Sequence, residues 1–308
     1  MDSSATSSSG HLDGQLAADM RRIEETWRPD DEVVEDCVTA DPVLEAAAIL
    51  NRVAVGTADG DRLPTYWHWF FARSHPYAAQ IGEDGNALDR DFIPPLRTRN
   101  RLFAGGRLDV VEPLKIGDQF TRVSRLTSCI LKSGRSGPLL FVTVERSVSV
   151  GGQLRLREEQ DYVYLGSGLQ GLQGSDRPPS SSRVAPAVDG DLLGRVRVHA
   201  DSVLLFRLSA LTGNLYRLHY DHPYATKVAG HAGLAVHGPL SVLLMVEALG
   251  HEELALARME WRAHRPLYAP TELVGWAIRR GDAVTLAAGP VLGDVAVSGS
   301  VTLKPDRS

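Results

Sequence analysis

Apolar residues recur along this 308-residue chain at two periods, and the two periods alternate twice. In Asp41–Arg52 (DPVLEAAAILNR), Val43, Ala46, Ala47 and Leu50 fall at helical spacing. Asp41 is placed to cap that helix, and Pro42 suits its first position. A shorter helix is predicted over Gln15–Trp27. Between Arg101 and Leu165 the period drops to two. The runs LFAGGRLDVVEPL, DQFTRVSRLTSCILKSG, PLLFVTVERSVSV and QLRLREEQDYVYL are separated by turns bearing Gly and Pro, as in an antiparallel meander. In LLFVTVERSVSV, Phe141, Thr143, Glu145 and Ser147 alternate with Val142, Val144, Arg146 and Val148, a pattern for a sheet with one covered face. The aromatic segment Thr65–His75, with Tyr66, Trp67, Trp69, Phe70 and Phe71, follows Pro64. Periodicity alone does not separate helix from strand there.

The same order returns further on. Val196–Leu208 is strand-like and leads to a loop. Then comes a helix at His237–Gly250, apolar almost all round from Leu240 to Ala248. Strand-like runs follow at Ala257–Tyr268, Leu273–Arg280, Ala283–Ala288 and Asp294–Leu303. Between the two halves, residues 166–189 are rich in Gly, Ser and Pro and nearly free of bulky apolar side chains, the composition of a linker. The expected organisation is a polar, Ser-rich disordered tail (1–14), a first domain (15–165), the linker (166–189) and a second domain (190–308). Each domain reads as a helical part followed by a meander, which suggests one architecture used twice without a strong residue-level repeat.

Composition narrows the class. With 43% hydrophobic and 23% charged residues, the chain is that of a soluble globular protein. A net charge of −5 argues against a general nucleic-acid binder. No stretch approaches a membrane span, and the polar N-terminal segment has no apolar region for a signal peptide. Cys37 and Cys129 lie far apart and form no metal-ligand spacing, so a cytoplasmic protein with two reduced thiols is expected.

Three motifs tempt and fail. Gly166-Ser167-Gly168-Leu169-Gln170-Gly171 matches a dinucleotide fingerprint, but the linker follows it where a helix must open. His251-Glu252 begins a zinc-protease motif whose second His would fall at Ala255. Ser136 sits in a hairpin turn and not on a strand–turn–helix elbow. The segment Thr212–Leu240 carries stronger chemistry. Asn214, Arg217, His219 and Asp221 crowd into one loop, and His237-Gly238-Pro239 opens the apolar helix. A polar loop feeding a helix N-terminus suits a reaction that stabilises an oxyanion beside a proton carrier.

The strings FRLSALTGNLYRLHYDHPYA and GLAVHGPL, with RLFAGGRLDVVEPLKIGD, KSGRSGPLLFVTVERSV and EEQDYVYL in the first half, resemble the MaoC-like double hot-dog hydratases and dehydratases. They are most similar to the branch that takes mesaconyl and itaconyl thioesters. The resemblance spans roughly residues 30–305. It implies an α+β, double hot-dog fold: two curved antiparallel sheets, each wrapping a central helix, forming a pseudo-dimer within one chain. On that fold, Tyr66–Phe71 is expected to be the first central helix. The family loop reads roughly G-D-x-N-P-x-H. His219 matches its histidine, and Asn214 stands where its acid would be. Gly213 and Tyr216 depart from the branch pattern. His237-Gly238 matches the A-H-G at the start of the family's central helix.

The resemblance implies a hydro-lyase that reversibly hydrates an enoyl-CoA thioester, of a short branched or dicarboxylic acyl group. It needs no cofactor and no metal, with acyl-CoA as small-molecule partner, and it leaves a homodimer of double hot-dog chains open. His219 is the expected base and the Gly238 N–H the expected oxyanion donor. Asn214 can orient but not accept a proton, and Asp221 is a helper. Among the substrate-binding candidates, Arg217 can hold a second carboxylate, beside His237 and Tyr216. For Arg217 and Asp221 a simple loop ion pair stands as the alternative. Arg97, Arg99, Arg101 and Arg107, with Lys132 and Arg135, are weaker candidates for coenzyme phosphates. Three rival readings remain: a 3-hydroxyacyl-thioester dehydratase on coenzyme A or acyl carrier protein, a thioesterase, and a non-catalytic acyl-thioester-binding protein.

Overall fold

The computed structural model describes residues 5–88, 92, 94–96, 101–134, 137–165 and 190–304. The predicted linker and Arg97, Arg99, Arg135 and Ser136 lie outside the described residues. Helix α1 runs over Ala5–Thr26. It therefore begins ten residues before Gln15, and the tail reading is corrected for residues 5–14. Once Met20 and Ile23 are anchored in a core cluster with Leu140, Val142 and Val144, adding turns to an existing helix costs little even for a Ser-rich segment.

Strand β1 (Glu32–Cys37) and helix α2 (Ala40–Leu50) follow. Helix α2 starts one residue earlier than expected. Thr39 holds the cap position and Asp41 lies in the first turn, where its charge meets the positive end of the helix. Val43, Ala46, Ala47 and Leu50 are buried, as the spacing predicts. The aromatic segment is not a central helix. It is a single 3-10 turn, Trp67–Phe70, bounded by Tyr66 and Ala72 in left-handed backbone (φ 68° and 52°). Two left-handed residues confine the helix to that turn, and the Tyr66 and Trp67 rings are fully buried. The meander is as patterned: β2 (Arg101–Val110), β3 (Gln119–Gly134), β4 (Gly137–Val150) and β5 (Gln153–Leu165).

In the second half, β6 covers Asp191–Ala200 and α3 covers Ser202–Thr212, so the single strand-like entry expected over Val196–Leu208 is two elements. Asp201 makes the break. Its side chain accepts from the Leu204 N–H at 2.8 Å, an N-cap, and Leu205, Leu208 and Leu211 then bury at helical spacing. A two-residue strand β7 (Leu234–Ala235) precedes α4 (Gly238–Glu247). Then come β8 (Leu256–Ala263), β9 (Tyr268–Ala269), β10 (Thr271–Arg280), β11 (Ala283–Pro290) and β12 (Val297–Leu303).

The main sheet has the order β1-β3-β4-β5-β2-β8-β12-β11-β10-β6. Read from either end, it places a strand–helix opening at the edge and a meander inward, which is the duplication suspected from element order. The two halves meet where β2 pairs antiparallel with β8, Gly106 opposite Trp261 and Leu108 opposite Met259. The expected pair of sheets is thus one continuous ten-stranded sheet. Polar ties brace the join. Glu253 accepts from the Thr65 N–H at 2.7 Å and its hydroxyl at 2.6 Å, and Arg52 pairs with Glu247 at 3.1 Å.

Helix α4 is enclosed on all sides. Every residue from Leu240 to Val246 is buried, which explains its apolar circumference. It lies directly on β10, where a Cβ at Gly275 would meet the Leu244 carbonyl oxygen at 2.4 Å. No rotamer relieves a clash with backbone. Gly275→Val is expected to lower stability by roughly 1–3 kcal/mol or more through overpacking, read from urea unfolding followed by circular dichroism.

Candidate active site

The loop after α3 is built by local hydrogen bonds. Gly213 ends the helix in the left-handed region at φ 64°, a conformation glycine adopts without penalty. Asn214 Oδ1 accepts from the Tyr216 N–H at 3.1 Å, an Asx turn that aims the chain inward. One 3-10 turn, Arg217–His219, then delivers His219 to the interior. Its Nδ1 lies 2.7 Å from the Ala235 carbonyl oxygen. A carbonyl can only accept, so Nδ1 carries the proton and the neutral ring presents a bare Nε2.

Burial pushes the His219 pKa down to about 4, opposed by the Ala235 hydrogen bond and assisted by the positive charge of Arg101 and by His231. His237 stacks on it, with centroids 3.7 Å apart and rings 17° from parallel. Burial and the His219 ring beside it hold the His237 pKa well below the usual range. Ser209 Oγ fixes that second ring from behind, 2.9 Å from Nε2. Tyr216 meets His219 edge-on at 5.9 Å, and burial raises its hydroxyl pKa to about 12. The site is therefore a stack of two neutral imidazoles.

A cavity of about 600 Å³ opens in front of them. From the second half it is lined by Asn214, Tyr216, His219, His237 and Gly238, and from the first by Trp69, Phe103 and Glu158, among others. Gly238 is the first residue of α4 and His237 its cap. The first N–H groups of a helix have no acceptor within it and carry the positive end of its dipole. A Cβ at Gly238 would stand 3.2 Å from the Phe103 ring, so a side chain here would crowd the slot.

Five of the seven site residues expected from sequence thus share one cavity. Arg217 and Asp221 do not line it. Arg217 Nη2 pairs with Asp221 Oδ2 at 2.7 Å, Nη1 donates to the Glu83 carbonyl at 2.8 Å, and the guanidinium covers the Tyr224 ring at 4.5 Å. Asp221 also accepts from the Tyr224 N–H at 3.0 Å. They brace the loop from outside, because four residues on one turn bring their side chains together before either can reach inward. Arg107 is likewise engaged, with Glu159 at 2.7 Å and Asp161 at 2.9 Å, while Lys132 covers the Phe141 ring at 4.8 Å. Among the described residues, no group of His, Cys, Asp and Glu side chains is arranged to hold a metal ion.

The first half supplies part of the cavity wall; of its charged residues sequence reasoning named Arg101 but not Glu158. Glu158, only 2% exposed, accepts from His68 Nε2 at 2.9 Å, Trp69 Nε1 at 2.9 Å and Gln160 Nε2 at 2.7 Å. Burial raises its pKa, but the His68 hydrogen bond and charge, with Arg146, outweigh this and hold the carboxylate below its usual range. The signal was present in EEQDYVYL. Glu158, Gln160 and Tyr162 lie two apart on one strand, so three polar groups share a face.

The fold and this site define a class. The chain belongs to the family described as hydroxyacyl-thioester dehydratase type 2, whose model matches residues 66–269. It is 38% identical over 280 residues to mesaconyl-C(4)-CoA hydratase of Chloroflexus aurantiacus, covering 90% of this chain and 96% of that one. Solved structures agree on the fold. A MaoC-like dehydratase from Phytophthora capsici aligns with TM-score 0.61 at 17% identity, over 92% of this chain and 98% of that one. A Mycobacterium tuberculosis protein with a double hotdog fold aligns with TM-score 0.54 at 12% identity, over 91% and 97%.

The buried imidazoles make stability pH-dependent. The unfolded chain binds protons at His219 and His231 below about pH 6.5, whereas the folded chain holds both near pKa 4. The unfolded state then binds more protons between these values, so stability falls on acidification from pH 6.5 toward 4. His219→Gln removes one such group and should flatten the dependence of thermal unfolding on pH across that window.

Proposed function

We propose that the protein catalyses the reversible addition of water across the double bond of an enoyl-CoA thioester. One observation carries the reading: His219, whose Nε2 is left unprotonated, and Gly238, at a helix N-terminus, line the same cavity. The thioester carbonyl oxygen binds toward the Gly238 N–H. As water attacks, charge builds on that oxygen in an enolate-like transition state, and the fixed donor stabilises it. His219 Nε2 takes a proton from the water while the oxygen bonds to the β-carbon. The imidazolium then returns the proton to the α-carbon, so one ring serves both transfers and the atoms of water are conserved. A depressed pKa suits this role, since the ring is a free base at neutral pH and a strong acid once charged. The half-buried Asn214 amide can orient the water.

The 38% identity to mesaconyl-C(4)-CoA hydratase supports a short dicarboxylic enoyl group as substrate. The family description favours the reverse direction, dehydration of a 3-hydroxyacyl thioester, as the second reading of the same chemistry. Coenzyme A enters as part of the substrate. The cavity is built from both halves of one chain, so the reading requires no second copy. The unpaired thiols Cys37 and Cys129 support a cytoplasmic setting, and no helix among the described residues is long and apolar enough to cross a membrane.

The test is hydration of crotonyl-, mesaconyl-C4- and itaconyl-CoA, followed by loss of the enoyl absorbance, with a thiol reagent checking that the thioester survives. His219→Ala should lower kcat/KM by about 10²–10⁴. A folded His219→Ala variant with undiminished turnover would falsify the assignment.

A further inference from the structure

One hydrophobic cluster stands apart from the main core. Val163 and Leu165 are buried, Leu102, Ala104, Leu139 and Phe141 pack against them, and all six line the cavity. Strand register shows where the cluster lies. Leu102 is opposite Val163, Val163 opposite Phe141, and Leu165 opposite Leu139, and residues directly opposed share a face of the sheet. Phe103 and Tyr162 are likewise opposed, but one position along each strand, and so take the other face, where Gln160 and Glu158 alternate with Tyr162. The cavity therefore touches both faces of the first-half sheet. The pairing explains how: β2 meets β8 only from Gly105 to Asp109, and Leu102, Phe103 and Ala104 run on beyond the end of that ladder. His264 to Leu267, which follow β8, line the same cavity. The result is a second, apolar lobe reached round the end of the join between the halves.

Phe103 stands between the two lobes. Its ring packs on the first residue of α4, since a Cβ at Gly238 would lie 3.2 Å from Phe103 Cδ1. Trp261 approaches the ring with centroids 4.6 Å apart, Tyr162 at 5.4 Å and Trp69 at 6.1 Å. Three aromatic neighbours thus hold it in place. The ladder is irregular directly after it, where Ala104 has no partner on β5, and a bulge of this kind re-aims the side chains beside it. An acyl group whose thioester oxygen faces Gly238 meets the Phe103 ring before it reaches the cluster around Val163.

We infer that Phe103 is the specificity-determining residue that limits acyl-chain length, by closing the reacting end of the cavity off from an apolar lobe that would otherwise take an alkyl tail. The inference deepens the hydratase reading and rests on it for the placement of the thioester. The chemistry of the lobe selects its occupant. The six side chains of the cluster are all aliphatic or aromatic, so a hydrocarbon chain gains from each methylene it buries there. A pantetheine arm would leave its amide groups without partners at the same place, at a cost that disfavours it. The barrier is steric, so its effect follows the volume of the side chain at this one position.

The experiment varies acyl length alone. Butyryl-, hexanoyl- and octanoyl-CoA, which cannot be hydrated, are titrated calorimetrically. In parallel, kcat/KM is measured for crotonyl-CoA and octenoyl-CoA. The unaltered protein should bind octanoyl-CoA no more tightly than butyryl-CoA. Phe103→Ala should raise the octanoyl-to-butyryl affinity ratio and the octenoyl-to-crotonyl kcat/KM ratio about 10- to 100-fold, the scale of a few newly buried methylenes. Phe103→Leu should move both ratios the same way by less, which keeps the test decisive if the alanine variant folds poorly. Adding Val163→Phe to Phe103→Ala refills the lobe and should return the ratios toward their starting values, a reversal that a merely loosened site would not show. An unaltered protein that already favours octanoyl-CoA overturns the inference. So do unchanged ratios in both Phe103 variants, or a gain that Val163→Phe leaves intact. If no enoyl thioester is hydrated but the affinity ratios shift as stated, the barrier stands and the hydratase reading is what fails.

Discussion

Helix α4 has no polar face, and that constraint organises the rest. A helix apolar around its whole circumference must be covered on every side. The curved second-half sheet covers most of it, approaching so closely at Gly275 that no side chain fits between. Enclosure leaves one part of the helix that side-chain packing cannot satisfy, the amide donors of its first turn. The chain resolves this by facing those donors with a cavity. The same burial that stabilises the helix leaves the positive end of its dipole at the cavity, where oriented dipoles act more strongly than in bulk water.

The histidine pair follows from the same enclosure. His237 caps α4 and His219 comes from the preceding loop, so stacking them closes the space between loop and helix start. Two imidazoles 3.7 Å apart in a buried site cannot both be charged. The Ala235 carbonyl settles which nitrogen of His219 carries the proton, and Ser209 holds the neighbouring ring. The unprotonated nitrogen is thus selected by backbone geometry, and the low basicity of the ring by burial. Neither depends on an acid at the position of Asn214, which explains how a loop with an amide there still presents a free base.

The two halves have diverged in what they place against the sheet. Sheet order and the strand–helix openings are shared, yet the second half keeps a full central helix while the first keeps one aromatic turn. Replacing a helix by Trp67–Phe70 leaves room beside the sheet, and polar side chains from β2 to β5 line that room. Division of labour results: the second half supplies the stacked imidazoles and the start of α4, and the first shapes the cavity in front of them. The β2–β8 join makes this arrangement rigid, because it fuses both halves into a single hydrogen-bonded sheet.

Much of this was written in local pattern. The change of period at Arg101, the apolar run after His237 and the crowding of Asn214, Tyr216 and His219 before Gly238 are one-dimensional signals. They determined the strands, the buried helix and the loop residues that line the cavity, because each depends on neighbours a few residues away. The extent of α1, the break at Asp201 and the reduction of Tyr66–Phe71 to one turn were hidden, since each is set by a partner or a backbone angle that spacing does not encode. The same limit governed the charges. Arg217 and Asp221 looked like site residues in the loop but satisfy each other outside it, whereas Glu158 looked like an ordinary strand residue. Only strand register and the packing of two distant halves decided which ionisable groups share one volume, because a contact between residues far apart in the chain is a property of the assembled sheet and not of any segment within it.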